Sequence, residues 1–268
     1  MSETETYIKN CRSCSKEQVE KINVQRFVEK LDGYFERNDI KGAFNHFQYW
    51  EREAKILKDN KGLLSILNEE IGFYRRTNDK ENGIKAVNEA IKIIEENDFA
   101  TNLSVATIYV NAATTMKAFD MADKSLSYFN FAEKIYLDNG KKDSYDYAAL
   151  LNNKAAALCD LEMFSEAENC YNKAIEILKI EGNHDGDIAI SLVNMAQLIF
   201  QRSAKAYQEI ENTLDLAWEY INSPRQIRDW SYAFVLSKCA PSFRFFKREE
   251  EANALEEVAK EIYGKGGQ

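Results

Sequence analysis

The chain has 268 residues, 45% of them hydrophobic and 29% charged, which is the composition of a folded globular protein. Its formal net charge is −9 without any basic cluster, and this argues against nucleic-acid binding, because phosphate contacts need grouped lysines and arginines. Since no apolar run reaches the roughly 18 residues of a membrane-spanning helix, and the segment after Met1 is polar, we expect a cytoplasmic protein that does not bind membranes.

Residues 1–20 are polar and are predicted to form a flexible tail. Cys11 and Cys14 in this tail have the CxxC spacing of a metal or redox site, but a zinc site needs a second pair of ligands. The two histidines, His46 and His184, are distant and have no ligand spacing of their own. Five cysteines, an odd number, do not suggest a disulfide framework. We therefore predict no metal site and no cofactor.

The remainder of the chain is predicted to be all-α. Two prolines and 11 glycines are too few for the many turns of a β-sandwich, whereas Ala, Glu, Lys, Leu and Ile recur with a helical period. Polar turns separate amphipathic stretches of about four helical turns each. Examples of these turns are Arg37-Asn-Asp, Thr77-Asn-Asp-Lys and Cys159-Asp-Leu-Glu.

A repeated order of small and large residues divides most of the chain into six units. In the clearest unit, Ala155 is followed twelve residues later by Ala167, then by the aromatic Tyr171 and by Ala174. Small residues are expected where the two helices of a hairpin cross closely, with large side chains filling the space around them. The first positions of the six units are 40 to 44 residues apart, a period typical of helical solenoids. These positions are Leu31, Ile71, Ala113, Ala155, Ala196 and Ala240.

This pattern resembles the tetratricopeptide repeat family over roughly residues 22–263. The units beginning at Ala113 and Ala155 match best, whereas the first, second and sixth are degenerate and the family's closing proline is missing. The spacing exceeds the family's usual 34 residues and is similar to the longer repeats of kinesin light chains and Gram-positive quorum-sensing peptide receptors. The resemblance implies a right-handed helical-hairpin solenoid of about six repeats and twelve helices. It would form one domain over residues 21–263, followed by a flexible tail at 264–268.

A row of asparagines is predicted on the first helices of three successive units. In helical-hairpin solenoids the first helix of each unit lines the concave face, where partners bind. Asn111, Asn153 and Asn194 each lie two residues before the first small residue of their unit, where side chains should project onto that face. An asparagine offers a donor and an acceptor, as every peptide unit does. The resemblance implies that these three residues bind a peptide; alternatively, they bond to neighbouring backbone or face water.

A cluster of cations is a second candidate site. Arg75 and Arg76 lie late in the first helix of the second unit, and Lys117 lies at the matching place in the third. Together they are predicted to hold a carboxylate of the peptide. The alternative is that they end their helices, where the helix dipole favours positive charge. The family's chaperone-type clamp needs Lys and Asn where this chain has Val110 and Thr114, so a chaperone C-terminus is not expected as the ligand.

The last unit departs most from the pattern, because Pro241 falls inside its first helix and should bend it. The candidate partner patch beside this bend comprises Phe243, Arg244, Phe245 and Phe246. Alternatively, these aromatic residues cover the end of the stack. The aromatic residues predicted to form the core of this unit are Trp230, Tyr232 and Phe234.

These features favour a non-catalytic protein that binds an extended peptide or a partner segment in a groove. The alternative is a structural module that self-associates, for example as a homodimer, through its aromatic last unit. An enzyme is not expected, because no nucleophile is accompanied by a base and no glycine-rich phosphate loop stands in the required context.

Overall fold

The computed structural model describes residues 20–265, so that Cys11 and Cys14 lie outside the described residues. Across this range the regular structure consists of twelve helices and no strand, which confirms the predicted all-α fold. The helices are α1 (Val24–Glu36), α2 (Ile40–Ile56), α3 (Asn60–Arg76), α4 (Lys80–Glu96), α5 (Leu103–Ala118), α6 (Ala122–Asp138), α7 (Tyr145–Asp160), α8 (Phe164–Glu181), α9 (Asp185–Arg202), α10 (Tyr207–Ile221), α11 (Trp230–Phe245) and α12 (Glu249–Lys265).

The chain divides into two compact units, residues 1–97 and residues 98–268. The described part of the first unit contains α1–α4, and that of the second contains α5–α12. In both units consecutive helices pack in pairs, most extensively α3 with α4, α5 with α6, α7 with α8, α9 with α10, and α11 with α12. These pairs are the predicted hairpins, whereas a single domain over residues 21–263 stays a prediction.

The small residues of the repeated pattern lie inside these hairpins. Their large neighbours Phe129 and Tyr171 are buried as well. Because alanine carries only a Cβ, two backbones can approach closely at such a position, and a larger side chain would separate them. The alanines of the pattern that are completely buried are Ala43, Ala90, Ala113, Ala132, Ala155, Ala167, Ala174, Ala196, Ala217 and Ala252.

Three turns of the first unit are built in the same way, with 20 residues from each to the next. In each, a residue in the left-handed conformation, with φ between 52° and 55°, precedes an aspartate. The backbone N–H of this aspartate donates to a carbonyl five residues earlier, at 2.8 to 2.9 Å, and thereby closes the preceding helix. Its carboxylate accepts an N–H three residues later, at 2.8 to 3.1 Å, and caps the next helix. The aspartates are Asp39, Asp59 and Asp79.

In the second unit this helix-closing turn occurs inside three hairpins. Asp120, Glu162 and Lys247 adopt the left-handed conformation, and the following N–H donates five residues back at 2.9 Å in each case. The link between α6 and α7 contains the same turn, with Gly140 in the left-handed conformation and the Lys141 N–H donating to the carbonyl of Tyr136 at 2.9 Å, whereas the links after α8 and α10 differ from it. The longest link of this unit spans residues 222–229, between α10 and α11. The turn is therefore not specific to hairpins, because it also occurs in one of the links between them.

The last hairpin corrects part of the predicted core. Helix α11 contains Pro241 and continues to Phe245. Tyr232 is buried as predicted, but Trp230 and Phe234 are 58% and 51% exposed, so that their assignment to the core is wrong. The reason is the helical period: Trp230 and Phe234 are four residues apart on one face of α11, and Tyr232 lies on the other, which packs inward with Phe243.

Candidate functional site

The first helices of the four hairpins in the second unit lie side by side. Helix α5 contacts α7, α7 contacts α9, and α9 contacts α11. Each is followed by a returning helix, so the four share one direction. The predicted asparagines occupy three of them, with Asn111 on α5, Asn153 on α7 and Asn194 on α9. The sequence period thus places these residues at equivalent positions of adjacent helices.

The three asparagines have different surroundings. Asn153 is exposed, and its Nδ2 donates to the carbonyl of Ala149 in the same helix at 3.0 Å. Asn111 is half-buried and has a partner within the protein, and Asn194 is half-buried. One residue before Asn153, the buried Oδ1 of Asn152 accepts no hydrogen bond from residues 20–265. The bond from Asn153 matches the alternative interpretation, but it occupies only one of the two N–H groups of the amide.

The fourth position of this row was missed by the sequence analysis. On α11, Lys238 lies two residues before Ala240, as each asparagine lies two residues before its own small residue. Lys238 is exposed, and its Nζ lies 5.1 Å from the centroid of the Phe234 ring. The position two residues before Ala240 in the sixth unit is the signal that identifies Lys238, but this residue is not an asparagine and so was not included in the predicted row.

The predicted cation cluster falls into both units, Arg75 and Arg76 in the first and Lys117 in the second, and it stays a prediction. The Arg76 guanidinium lies 4.4 Å above the ring of Phe35. Burial and the neighbouring Arg76 lower the pKa of Arg75. The Lys117 Nζ lies 2.9 Å from Oδ2 of Asp160, so this cation already has a carboxylate partner. All three cations lie in the last turn of their helices, as the alternative interpretation requires.

Arg76 borders a cavity of about 420 Å³ in the first unit. The Phe35 and Phe73 rings stack at 6.1 Å along its wall. Arg76 therefore presents its charge at the edge of an aromatic depression, an arrangement that suits a carboxylate carried beside an apolar group. The residues lining the cavity are Phe35, Asn38, Ile40, Phe73, Arg76 and Thr77.

The predicted partner patch is wrong for Phe243, which is completely buried. Its ring meets Trp218 edge-on at 5.7 Å, and the Arg248 guanidinium lies 5.3 Å above it. Phe243 belongs to the inward face of α11, which the sequence analysis could not distinguish from an exposed face, because aromatic residues follow one another closely there.

The other three residues of the predicted patch, Arg244, Phe245 and Phe246, contact other side chains of the protein. Arg244 forms ion pairs with Glu249 at 2.6 Å and with Glu256 at 2.9 Å, and so ties α11 to α12. Phe245 is exposed and Phe246 is half-buried, and both rings meet Phe200 of α9 edge-on, at 5.2 Å and 5.9 Å. Only Phe245 thus retains the exposure expected of a contact residue.

A second cavity, of about 690 Å³, lies where α9 and α11 begin. The Tyr145 ring stacks on His184 with centroids 4.8 Å apart, and its hydroxyl donates to Asp187 at 3.3 Å. Arg225 donates two hydrogen bonds to the buried Asp185, at 2.7 Å and 3.0 Å, and thereby holds the α10–α11 link against α9. Tyr145, Asp187 and Arg225, which line this cavity, are therefore already hydrogen-bonded within the protein.

A buried carboxyl group lies in the first unit. Glu70 on α3 is 3% exposed, and its Oε1 accepts no hydrogen bond within the described range. Burial, the adjacent carboxylate of Glu51 and the charge of Glu89 raise the pKa of Glu70 far above its ordinary value. Lys55, which pairs with both Glu51 and Glu89 at 2.9 Å, opposes this shift only weakly. The raised pKa keeps Glu70 protonated at neutral pH, beside the carboxylate of Glu51.

The described cysteines are poor nucleophiles. Burial raises the pKa of Cys159 to about 11 and that of Cys239 to about 12, so both thiols are protonated at neutral pH. Between residues 20 and 265, no three His, Cys, Asp or Glu side chains are grouped as metal ligands. None of the helices in that range is long and apolar enough to cross a membrane.

Comparison with known proteins shows similarity in structure. No known family and no curated protein matches the sequence. BtubC (BKLC) from P. vanneervenii is 16% identical with a TM-score of 0.54, and the match covers 92% of this chain and 93% of that one. NprR in complex with its cognate peptide NprX is 14% identical with a TM-score of 0.58, covering 96% of this chain and 73% of that one.

A tetratricopeptide repeat protein from Parabacteroides merdae is 15% identical with a TM-score of 0.54, over 89% of this chain and 79% of that one. At these identities the similarity concerns the fold, and it agrees with the buried small residues and paired helices described above. In its fold, this chain is a helical-hairpin repeat protein of the tetratricopeptide type.

Proposed function

We propose that this chain is a non-catalytic binding protein that holds an extended peptide segment across the first helices of its second unit. The observation that carries this proposal is the placement of Asn111, Asn153 and Asn194 at equivalent positions of three adjacent helices. Packed helices are roughly 8–10 Å apart, and an extended chain advances about 3.3 Å per residue, so a peptide would meet a new helix about every third residue.

The chemistry of the row suits peptide backbone. An amide side chain can donate to a peptide carbonyl and accept from a peptide N–H. The bond from Asn153 to Ala149 leaves its second N–H and its oxygen to meet a ligand. NprR, which has this fold, has been crystallised with a cognate peptide, and this supports a peptide as the class of ligand.

The test is enrichment from a library of synthetic peptides by the native protein and by the variant Asn111→Ala/Asn153→Ala/Asn194→Ala. A matched control replaces three exposed asparagines on the second helices α6, α8 and α10, namely Asn130, Asn172 and Asn212. We expect the native protein and the control to retain the same peptides, and the triple variant to lose them at unchanged helicity. Retention by all three proteins, or by none, would refute the proposal.

A cytoplasmic location and the absence of nucleic-acid binding belong to the same proposal. They are supported by the net charge of −9 and by the lack of clustered positive charge in the sequence. Cell fractionation and a gel-shift assay with mixed DNA and RNA test them, and membrane association or a shifted band would contradict them.

Self-association is a second candidate function, favoured by the exposed aromatic side chains of Trp230, Phe234 and Phe245 on α11. Sedimentation equilibrium over a wide range of concentration decides it. A dimer that dissociates when Phe245 and Trp230 are replaced by serine would establish it, whereas a monomer throughout would leave these side chains to a different partner.

A further inference from the structure

The cavity at the end of α3, in the first unit, has an aromatic wall that is fixed by the core. Phe73 is 3% exposed, and its ring meets that of the completely buried Phe47 at 5.3 Å, so that it is supported from behind. The Phe35 ring is half-buried and lies nearly parallel to that of Phe73, at an interplanar angle of 17°. The wall therefore has its shape before any ligand arrives, as is usual for small-molecule sites.

The first residue of α2 adds an apolar side chain to the same cavity. Ile40 lines it and is 46% exposed. The turn before Ile40 is held by backbone hydrogen bonds, from Asn38 to Phe35 at 3.0 Å and from Asp39 to Tyr34 at 2.8 Å. The volume of about 420 Å³ is within the range of roughly 300–1,000 Å³ in which proteins hold small molecules. A flat apolar group in this cavity would contact Ile40 as well as the aromatic wall.

Arg76 gives the cavity its charge. Among the described residues, the lining comprises one cation, Arg76, and no carboxylate. The guanidinium lies 4.4 Å from the centroid of the Phe35 ring, so that it stacks on the wall. A stacked guanidinium keeps N–H donors along its edge, and these can form two parallel hydrogen bonds with a carboxylate. A ligand that uses both features carries a carboxylate close to a flat apolar group.

We propose that this cavity binds a small aromatic carboxylic acid, whose ring packs against Phe35 and Phe73 and whose carboxylate pairs with Arg76. Such a molecule holds its charge within one or two bonds of its ring, which matches a cation that lies directly on an aromatic wall. An aliphatic acid lacks the flat face, and a neutral aromatic molecule lacks the group that Arg76 would bind. The inference is independent of the function proposed above, because this cavity lies in the first unit and the asparagine row lies in the second.

The chain contains a matched control for the charge of Arg76. The Arg37 guanidinium also lies over an aromatic ring, that of Tyr34, at 5.4 Å from its centroid. Arg37 belongs to the same unit but does not line the cavity. Its substitution therefore removes a stacked cation from the same unit without altering the proposed site.

The experiment compares three probes that separate the ring from the charge. The probe 2-naphthylacetate has both, 2-naphthylacetamide has the ring without the charge, and cyclohexylacetate has the charge without a flat ring. Isothermal titration calorimetry measures the affinities, and saturation-transfer NMR detects weak binding.

The full-length proteins are the native chain, Arg76→Gln, Arg76→Lys, Arg37→Gln, Phe35→Leu and Ile40→Ser. Helicity and melting are compared first. Because Phe35 is half-buried, Ile40→Ser tests the apolar contact a second time at an exposed position. The variant that replaces the three asparagines of the second unit by alanine is included to separate this cavity from the row.

We expect the native chain, Arg37→Gln and the asparagine variant to bind 2-naphthylacetate about tenfold or more tightly than either other probe. Arg76→Gln should lower the affinity for the acid to that for the amide. Arg76→Lys should restore only part of the difference, because an ammonium group lacks the planar pair of donors. Phe35→Leu and Ile40→Ser should weaken the binding of acid and amide alike.

Other results would overturn the inference in distinct ways. Equal affinity of the native chain for acid and amide would remove the role of Arg76. A loss of binding in Arg37→Gln as large as that in Arg76→Gln would mean attraction to surface charge in general, and a loss in the asparagine variant would place the ligand in the second unit. If the native chain binds none of the three probes, the cavity is not a site for aromatic acids, while peptide binding is decided by its own experiment.

Discussion

Arg225 donates two hydrogen bonds to Asp185, and this pair joins the link before α11 to the beginning of α9. The two partners differ in exposure, because the Asp185 side chain is 6% exposed and that of Arg225 is 62% exposed. Loss of the arginine would therefore leave a buried carboxylate without its donors, whereas loss of the aspartate leaves only a surface cation.

From this asymmetry we expect Arg225→Met to lower the free energy of unfolding by about 1–3 kcal/mol, because a buried charge loses its hydrogen bonds. Adding Asp185→Asn should recover part of this loss. Urea unfolding of the two single variants and the double variant measures the coupling. Arg228→Met, at a nearby exposed arginine, serves as the control. Equal losses in the Arg225→Met and Arg228→Met variants would show that the pair contributes nothing.

Glu70→Gln is expected to stabilise the protein at neutral and alkaline pH. The folded-state pKa of Glu70 is raised, so its contribution to stability is complete below the pKa of the unfolded chain and is lost as pH rises towards the folded value. Glutamine keeps a donor for Glu51 but does not titrate. Urea unfolding should show a gain of about 1–3 kcal/mol at pH 7.5 and little change at pH 4.

The control for this experiment is Glu81→Gln, on the exposed surface of α4. It should show no pH-dependent gain of comparable size, because exposed ion pairs contribute little. Destabilisation of Glu70→Gln at pH 7.5 would mean that Glu70 is ionised in the folded protein.

Ala155→Leu is expected to destabilise the α7–α8 hairpin by about 1–3 kcal/mol, since the added side chain would push apart two closely packed backbones. Ala156→Leu places the same side chain one residue later, at a half-buried position, and should cost less. Thermal melting of both variants checks the difference. If the two melt alike, close helix crossing is not the reason for the small residues.

Phe243→Ala should cost about 3–5 kcal/mol, because this side chain is completely buried against Trp218. Phe245→Ala, two residues later, should cost about 1 kcal/mol or less, since half of its side chain is exposed. Urea unfolding monitored by tryptophan fluorescence reports on both. A similar cost for the two substitutions would contradict the assignment of opposite faces.

The predictable part of this protein is the part that repeats. The small residues lie at helix crossings, where packing permits little else, so their period predicted the twelve helices and the hairpins. The same period put Asn111, Asn153 and Asn194 on adjacent helices before any contact was known.

What the sequence did not predict depends on contacts between distant positions. The partner of Lys117 is Asp160, on the next first helix, and no local pattern indicates that they meet. On α11 the period separates two aromatic faces, but which one is covered depends on helices elsewhere in the chain, such as the one carrying Trp218. Lys238 was passed over for another reason, because its residue type differs from that of the row it continues.

The aspartate turns of the first unit do not determine which of its helices pair as hairpins. The connections from α1 to α2, from α2 to α3 and from α3 to α4 are built alike, since each has one residue in the left-handed conformation followed by an aspartate that caps the next helix. Neither the backbone conformation nor the cap of a connection distinguishes a turn within a hairpin from a turn between two hairpins. Which helices pair is therefore determined by the side chains that pack between them. A helix pair could be duplicated or lost in this unit without any change in the sequence of the connections.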